Sequence, residues 1–176
     1  MPILGTIASS YLQSTTSYFS IATVTVTSGG SSSIDFTSIP NTYTHLQLRG
    51  LITASDQCHM RVNDDTSSNY SFHAMQATGT AIQTADAASS TYGYMGYSGN
   101  TAQRTGFIST VLDYANTNKG KSFRHLYGAN FNGSGSMMIV SLGWYSTSAI
   151  TKISIFLNSG NFVQYDTIAL YGMKSA

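Results

Sequence analysis

An all-β fold is what this sequence predicts, and three observations carry that expectation. Ser and Thr fill about fifty of the 176 positions and Gly another 16, while Glu is absent. Ser, Thr, Gly and Tyr suit strands and turns, whereas helices are built from Ala, Leu, Glu and Lys. Apolar residues recur at every second position, as in Ala22, Val24 and Val26 between Thr23, Thr25 and Thr27, which is the period of a half-buried strand. Such runs are short, about ten in number, and separated by turn residues at roughly regular spacing. That pattern predicts an antiparallel β-sandwich of jelly-roll type. Disorder would also be rich in Ser, Thr and Gly, but not 41% hydrophobic and 12% aromatic.

The elements follow in chain order. Residues 1–19 have no helical period and read as an extended N-terminal arm or a first edge strand, with residues 20–176 forming one sandwich domain. Strands are expected at Ala22–Val26, at Ile34–Phe36 and at Leu46–Leu48. The first two are separated by the Gly29-Gly30 turn, and the second ends at Ile39-Pro40, since Pro cannot donate to a ladder. These three read as one antiparallel sheet with a wet face. Met60–Asn63 and Tyr70–Ala74 read as a hairpin around the Asn- and Asp-rich turn 63–69. From Gln76 to Ala102 the alternation fades, which predicts a long loop. Thr105–Tyr114 and Ser122–Gly128 are strands flanking the turn 115–120, with Phe123, His125 and Tyr127 on one face. Met137–Trp144 is nearly continuously apolar, as in a strand buried on both faces. Ile150–Leu157 and Asp166–Gly172 complete the pattern around the turn 158–161.

Composition bounds the function. Only 9% of residues are charged and the net charge is +1. The eight Lys and Arg are scattered, so there is no concentrated basic surface to neutralise phosphates and no nucleic-acid partner is expected. No apolar run approaches the roughly 20 residues of a membrane span, and no basic and apolar leader of the secretory kind opens the chain. The reading is a soluble protein made in the cytoplasm, with no membrane partner. Cys58 is the lone cysteine, so no intrachain disulfide supports the fold.

Catalytic, metal and cofactor chemistry find no support in the spacing. There is no Gly-x-Ser-x-Gly elbow and no phosphate-cradling loop, and seven dispersed Asp offer no paired-carboxylate site, so an enzyme is not expected. His45, His59, His73 and His125 fall on four separate strands, with no short-range ligand pair. Asn63, Asp64, Asp65 and Asn69 supply oxygens suited to Ca²⁺, but the spacing is not that of an Asp-x-Asp-x-Asp-Gly loop, and a hydrogen-bonded turn explains them better. Tyr92, Tyr94 and Tyr97 in Tyr-Gly-Tyr-Met-Gly-Tyr are candidates for surface or glycan contact, since exposed aromatic rings stack on sugars and present a hydroxyl. The alternative is that these tyrosines pack on their own sandwich.

Several stretches, in order, resemble small proteins encoded among the structural genes of tailed bacteriophages, including cyanophages. They are the opening Met-Pro-Ile-Leu-Gly-Thr-Ile-Ala-Ser-Ser, then Ile39-Pro40 with Tyr43 and Leu46-Gln47-Leu48-Arg49. Arg61 to Tyr70, Leu112 to Lys119, Gly143-Trp144 with Ser146 to Thr151, and Leu170-Tyr171-Gly172 complete the set. The resemblance implies a virion structural protein with a β-sandwich fold. The implied role is a capsid decoration or cement protein on the capsid exterior, with the major capsid protein as partner and a homo-oligomer, trimer or dimer, as the working form. A tail-fibre or spike adhesion module that binds host-surface glycan is the alternative. Pro2, Ile3, Leu4 and Ile7 are the candidate capsid or partner contacts.

Overall fold

The computed structural model describes residues 17–53, 55–97 and 103–174. Pro2, Ile3, Leu4 and Ile7, with the rest of the expected arm up to residue 16, lie outside the described residues.

The described chain is all-β, and its strands pair antiparallel throughout. They are β1 (Tyr18–Thr25), β2 (Ser33–Phe36), β3 (His45–Ile52), β4 (Gln57–Val62), β5 (Tyr70–Thr78), β6 (Ala81–Ser90), β7 (Gly93–Tyr97), β8 (Thr105–Leu112), β9 (Lys121–Asn130), β10 (Gly135–Trp144), β11 (Ile153–Leu157) and β12 (Thr167–Met173). Tyr18 and Phe19 therefore belong to the first strand of the sandwich. Eight strands form a large sheet in the order β1-β12-β3-β8-β9-β10-β5-β6, and four form a small sheet in the order β2-β11-β4-β7.

Up to β4 the chain changes sheet at every strand, and this corrects two local expectations. β1, β2 and β3 are not consecutive neighbours: β2 lies in the small sheet, and β12 lies between β1 and β3. The Gly29-Gly30 turn, with φ of 98° and 76°, carries the chain across, and the Ser31–Phe162 bridge fixes the crossing. Likewise β4 and β5 are in different sheets and form no hairpin. The alternation in each strand says that one face is buried, but not which sheet that face belongs to.

The core lies between the sheets. From the large sheet come Leu46, Leu48, Phe107, Val111, Phe123, Tyr127, Val140, Leu142 and Trp144; from the small sheet come Ile34, Phe36, Cys58, Met60, Val62, Ile153 and Ile155. Each fully buried side chain of this size contributes about 1.5–3 kcal/mol. β8 and β9 pair as expected, and Phe123, His125 and Tyr127 all point inward.

Two expectations about single strands are corrected. The stretch from Gln76 to Ala102 is not one long loop, since it completes β5 and contains β6 and β7. β6 shows no alternation because none of its side chains is buried. β10 is not covered on both faces: Met138, Val140, Leu142 and Trp144 are buried while Met137 and Ile139 are about half exposed.

The corners are closed by carboxylates and turn side chains. The buried Asp166 accepts from the backbone N–H of Thr53 and of Val163, both at 2.9 Å, and Arg104 lies 3.5 Å away. This ties the end of β3 to the approach to β12. Lys121, also buried, donates through Nζ to the carbonyls of Asn116, Lys119 and Thr147, which closes the β8–β9 turn.

Candidate contact surfaces

The tyrosine segment folds as β7, an edge strand of the small sheet that packs on β9, β10 and β5 of the large one. A Cβ on Gly93 would stand 2.5 Å from Leu142, and one on Gly96 2.5 Å from the Tyr127 ring. The glycines therefore serve close approach between layers. Tyr94 is buried, with its ring 4.7 Å from Phe72, so it is a core residue and not an exposed contact. Tyr92 is half-buried and stacks on His59 with ring centroids 4.0 Å apart. Of the three tyrosines, Tyr97 alone is classed as exposed. The segment thus does not bring three rings together as a surface patch.

His59 lies under this edge, covered by Tyr92 and by the edge of Phe156, with Arg61 over the other part of the Phe156 ring. Burial pushes the imidazole down to about 4; the nearby Asp56 carboxylate works against that shift and Arg61 with it. The side chain is a neutral packing element at neutral pH. The Cys58 thiol, fully buried beside Met95, is pushed well above its ordinary value by desolvation and is no nucleophile.

The acidic turn is satisfied from within. Asp65 accepts from the Ser67 N–H, from Asn69 and from the Trp144 indole N–H at 2.8 Å. Burial raises its pKa, but the Asn69, Trp144 and Ser67 hydrogen bonds outweigh that and hold the carboxyl down to about 2. Asn63 accepts from Thr151 and Lys152 and donates to Ala149, and Asp64 pairs with Lys152 at 2.7 Å. These oxygens hold the β4–β5 corner against the segment before β11. Among the described residues the four histidines lie on β3, β4, β5 and β9, and no three His, Cys, Asp or Glu gather around a common point.

Among the described residues an apolar surface lies on the outer face of the large sheet, which the sequence reading missed. Cross-strand partners Met75, Ile139, Leu126 and Ile108 form one apolar row across β5, β10, β9 and β8. One step along the strands runs a second row: Ile82, Ala77, Met137, Gly128, Gly106 and Leu51. The large side chains in these rows are 41% to 73% exposed, although the sheet could have turned them inward only by losing its core. Beside the two glycines lies an open trough of about 830 Å³, walled by Ile108, Leu126 and Met137 and ended by the β9–β10 turn. The signal was present in the sequence: Met137 to Val140 is apolar on both parities, and a strand with only one covered layer must then show apolar side chains to solvent.

No family model, no curated protein and no solved structure matches this chain.

Proposed function

We propose that this is a virion structural protein of a tailed bacteriophage, acting as a capsid decoration or cement protein. The observation that carries the reading is what the extra strands do. The order β1-β12-β3-β8 in one sheet and β2-β11-β4-β7 in the other is in keeping with a jelly roll, a fold used in viral capsids and lectins. Two further pairs, β5–β6 and β9–β10, widen one sheet to eight strands instead of enclosing a pocket. The chain spends its additional residues on a broad surface with few charges. A broad surface of this kind serves assembly, with further copies or with a shell, and binding of the protein to a shell stabilises it by mass action. Pro2, Ile3, Leu4 and Ile7 are the proposed shell contacts, with Tyr97 and the half-covered Tyr92 as a second patch. The ordered stretches that resemble phage structural proteins are in keeping with the same reading.

The test is the copy number of this chain relative to the major capsid protein in purified particles. Hundreds of copies in a simple ratio to the shell are expected. A few to a few tens of copies would overturn decoration and favour an adhesion role on the tail.

A further inference from the structure

We propose that the outer face of the large sheet is the interface of a two-fold dimer of this chain. The argument rests on the two apolar rows. In the first row Leu126 and Ile108 project to solvent; in the second row their neighbours along the same strands are Gly128 and Gly106, which have no side chains. Along a strand these positions are about 7 Å apart on one face. Take a two-fold axis running across the strands, midway between the rows and in the plane between two facing sheets. It lays the first row of each copy on the second row of the other. Leu126 then enters the gap above the partner copy's glycine floor at β9, and Ile108 enters the gap at β8. The same contacts are made in reverse, as an isologous interface requires.

Three further features fit a second copy. Among the described residues a Cβ at Gly106 would meet nothing within 4 Å, so the gap is open at β8, while at β9 a Cβ on Gly128 would stand 2.8 Å from the Ser136 carbonyl oxygen, so only glycine keeps that floor low. The only charged side chain in either row is Arg49, already held over the rings of Tyr18 and Tyr171, so the operation opposes no like charges across the contact. Over the six strands that the rows cross, spaced about 4.8 Å apart, the two rows of about 7 Å make an apolar patch of roughly 400 Å². That is the size of an apolar centre within the roughly 800 Å² per partner of a standard stable interface, whose rim is polar. Sheets facing each other in this way pack about 10 Å apart.

The experiment is the mass of the purified full chain by sedimentation velocity, with no capsid present. The wild type is expected at twice the 18.8 kDa chain mass. Gly106→Ile fills the gap without touching the chain's own fold, and Leu126→Asp removes the anchor from a half-exposed site. Each is expected to weaken the dimer by about 30-fold or more, as loss of a central anchor does, while keeping the wild-type circular dichroism spectrum. If one variant does not fold, the other decides. A wild-type mass other than two chains overturns the proposal, and so does a two-chain mass unchanged in the folded variants. The proposal is independent of the virion reading: a chain that dimerises but is scarce in particles retains the one and loses the other.

Discussion

His125 points into the core from β9, and among the described residues neither its ring nitrogens nor the hydroxyl of its cross-strand partner Ser109 has a hydrogen-bond partner. Burial, with a smaller contribution from Arg124, pushes this imidazole down to about 3. An unpartnered buried polar group costs stability that an apolar side chain would not. The pH consequence has a definite sign. Below the ordinary histidine value of about 6.5, the unfolded chain takes up protons that folded His125 and His59 refuse until about 3 and about 4. Stability therefore falls as pH drops from 6.5 towards 4, by up to about 1.4 kcal/mol per pH unit for each group. Urea midpoints measured across that range should show the fall, and His125→Leu should flatten it while leaving the pH 7 midpoint equal or higher. An unchanged slope in the variant would show that His125 is not the group responsible.

Strands differ in how closely another layer approaches them, and β7 and β8 give a matched pair. Gly96 in β7 has the Tyr127 ring where its Cβ would go, and Gly106 in β8 has open space. Gly96→Ala should lower stability by about 1–3 kcal/mol through overpacking, whereas Gly106→Ala, in chain diluted until it is monomeric, should be neutral or slightly stabilising because it stiffens a strand. Thermal unfolding of the two variants checks this, and similar losses in both would contradict the packing described. The same contrast explains what was legible in the sequence. Strands such as β3, β8, β9 and β12 show themselves by alternation because one face is buried and the other wet. β6 buries nothing and so carries no pattern. β7 hides its period behind close-approach glycines and a register shift opposite Cys58 and His59. β10 alternates in burial but not in hydrophobicity, and its outer residues were read as core. The tyrosines were chosen as contacts for their chemistry, yet packing had already claimed Tyr94 and part of Tyr92. The apolar face as a whole is not visible in the sequence because it is assembled from six strands, and only the cross-strand register brings its residues into line.

At the scale of the molecule, strands that are neighbours in space are seldom neighbours in sequence. β12 pairs with β1 on one side and β3 on the other, and β11 lies between β2 and β4. Neither sheet is complete without this returning pair. A chain ending at residue 160 would leave β1 with no sheet partner and Val26 without the backbone bond to Asp166. Such a truncation is expected to give the narrow amide dispersion of an unfolded chain in a proton–nitrogen NMR spectrum. A dispersed, sheet-like spectrum would show that the first eleven strands fold without β12.

The position of β12 also sets a clock for biosynthesis. Between the end of β1 and the start of β12 the ribosome must add about 140 residues, which takes about 7 to 30 s at common elongation rates. During that interval β1, with Ala22 and Val24 on its partly buried side, has emerged without the strand it will pair with. Contacts this distant in sequence also slow folding once the chain is released. A cell making the chain therefore holds, at any moment, nascent chains with an open strand edge. That edge is a ready target for chaperones, and a route to aggregation when they are saturated.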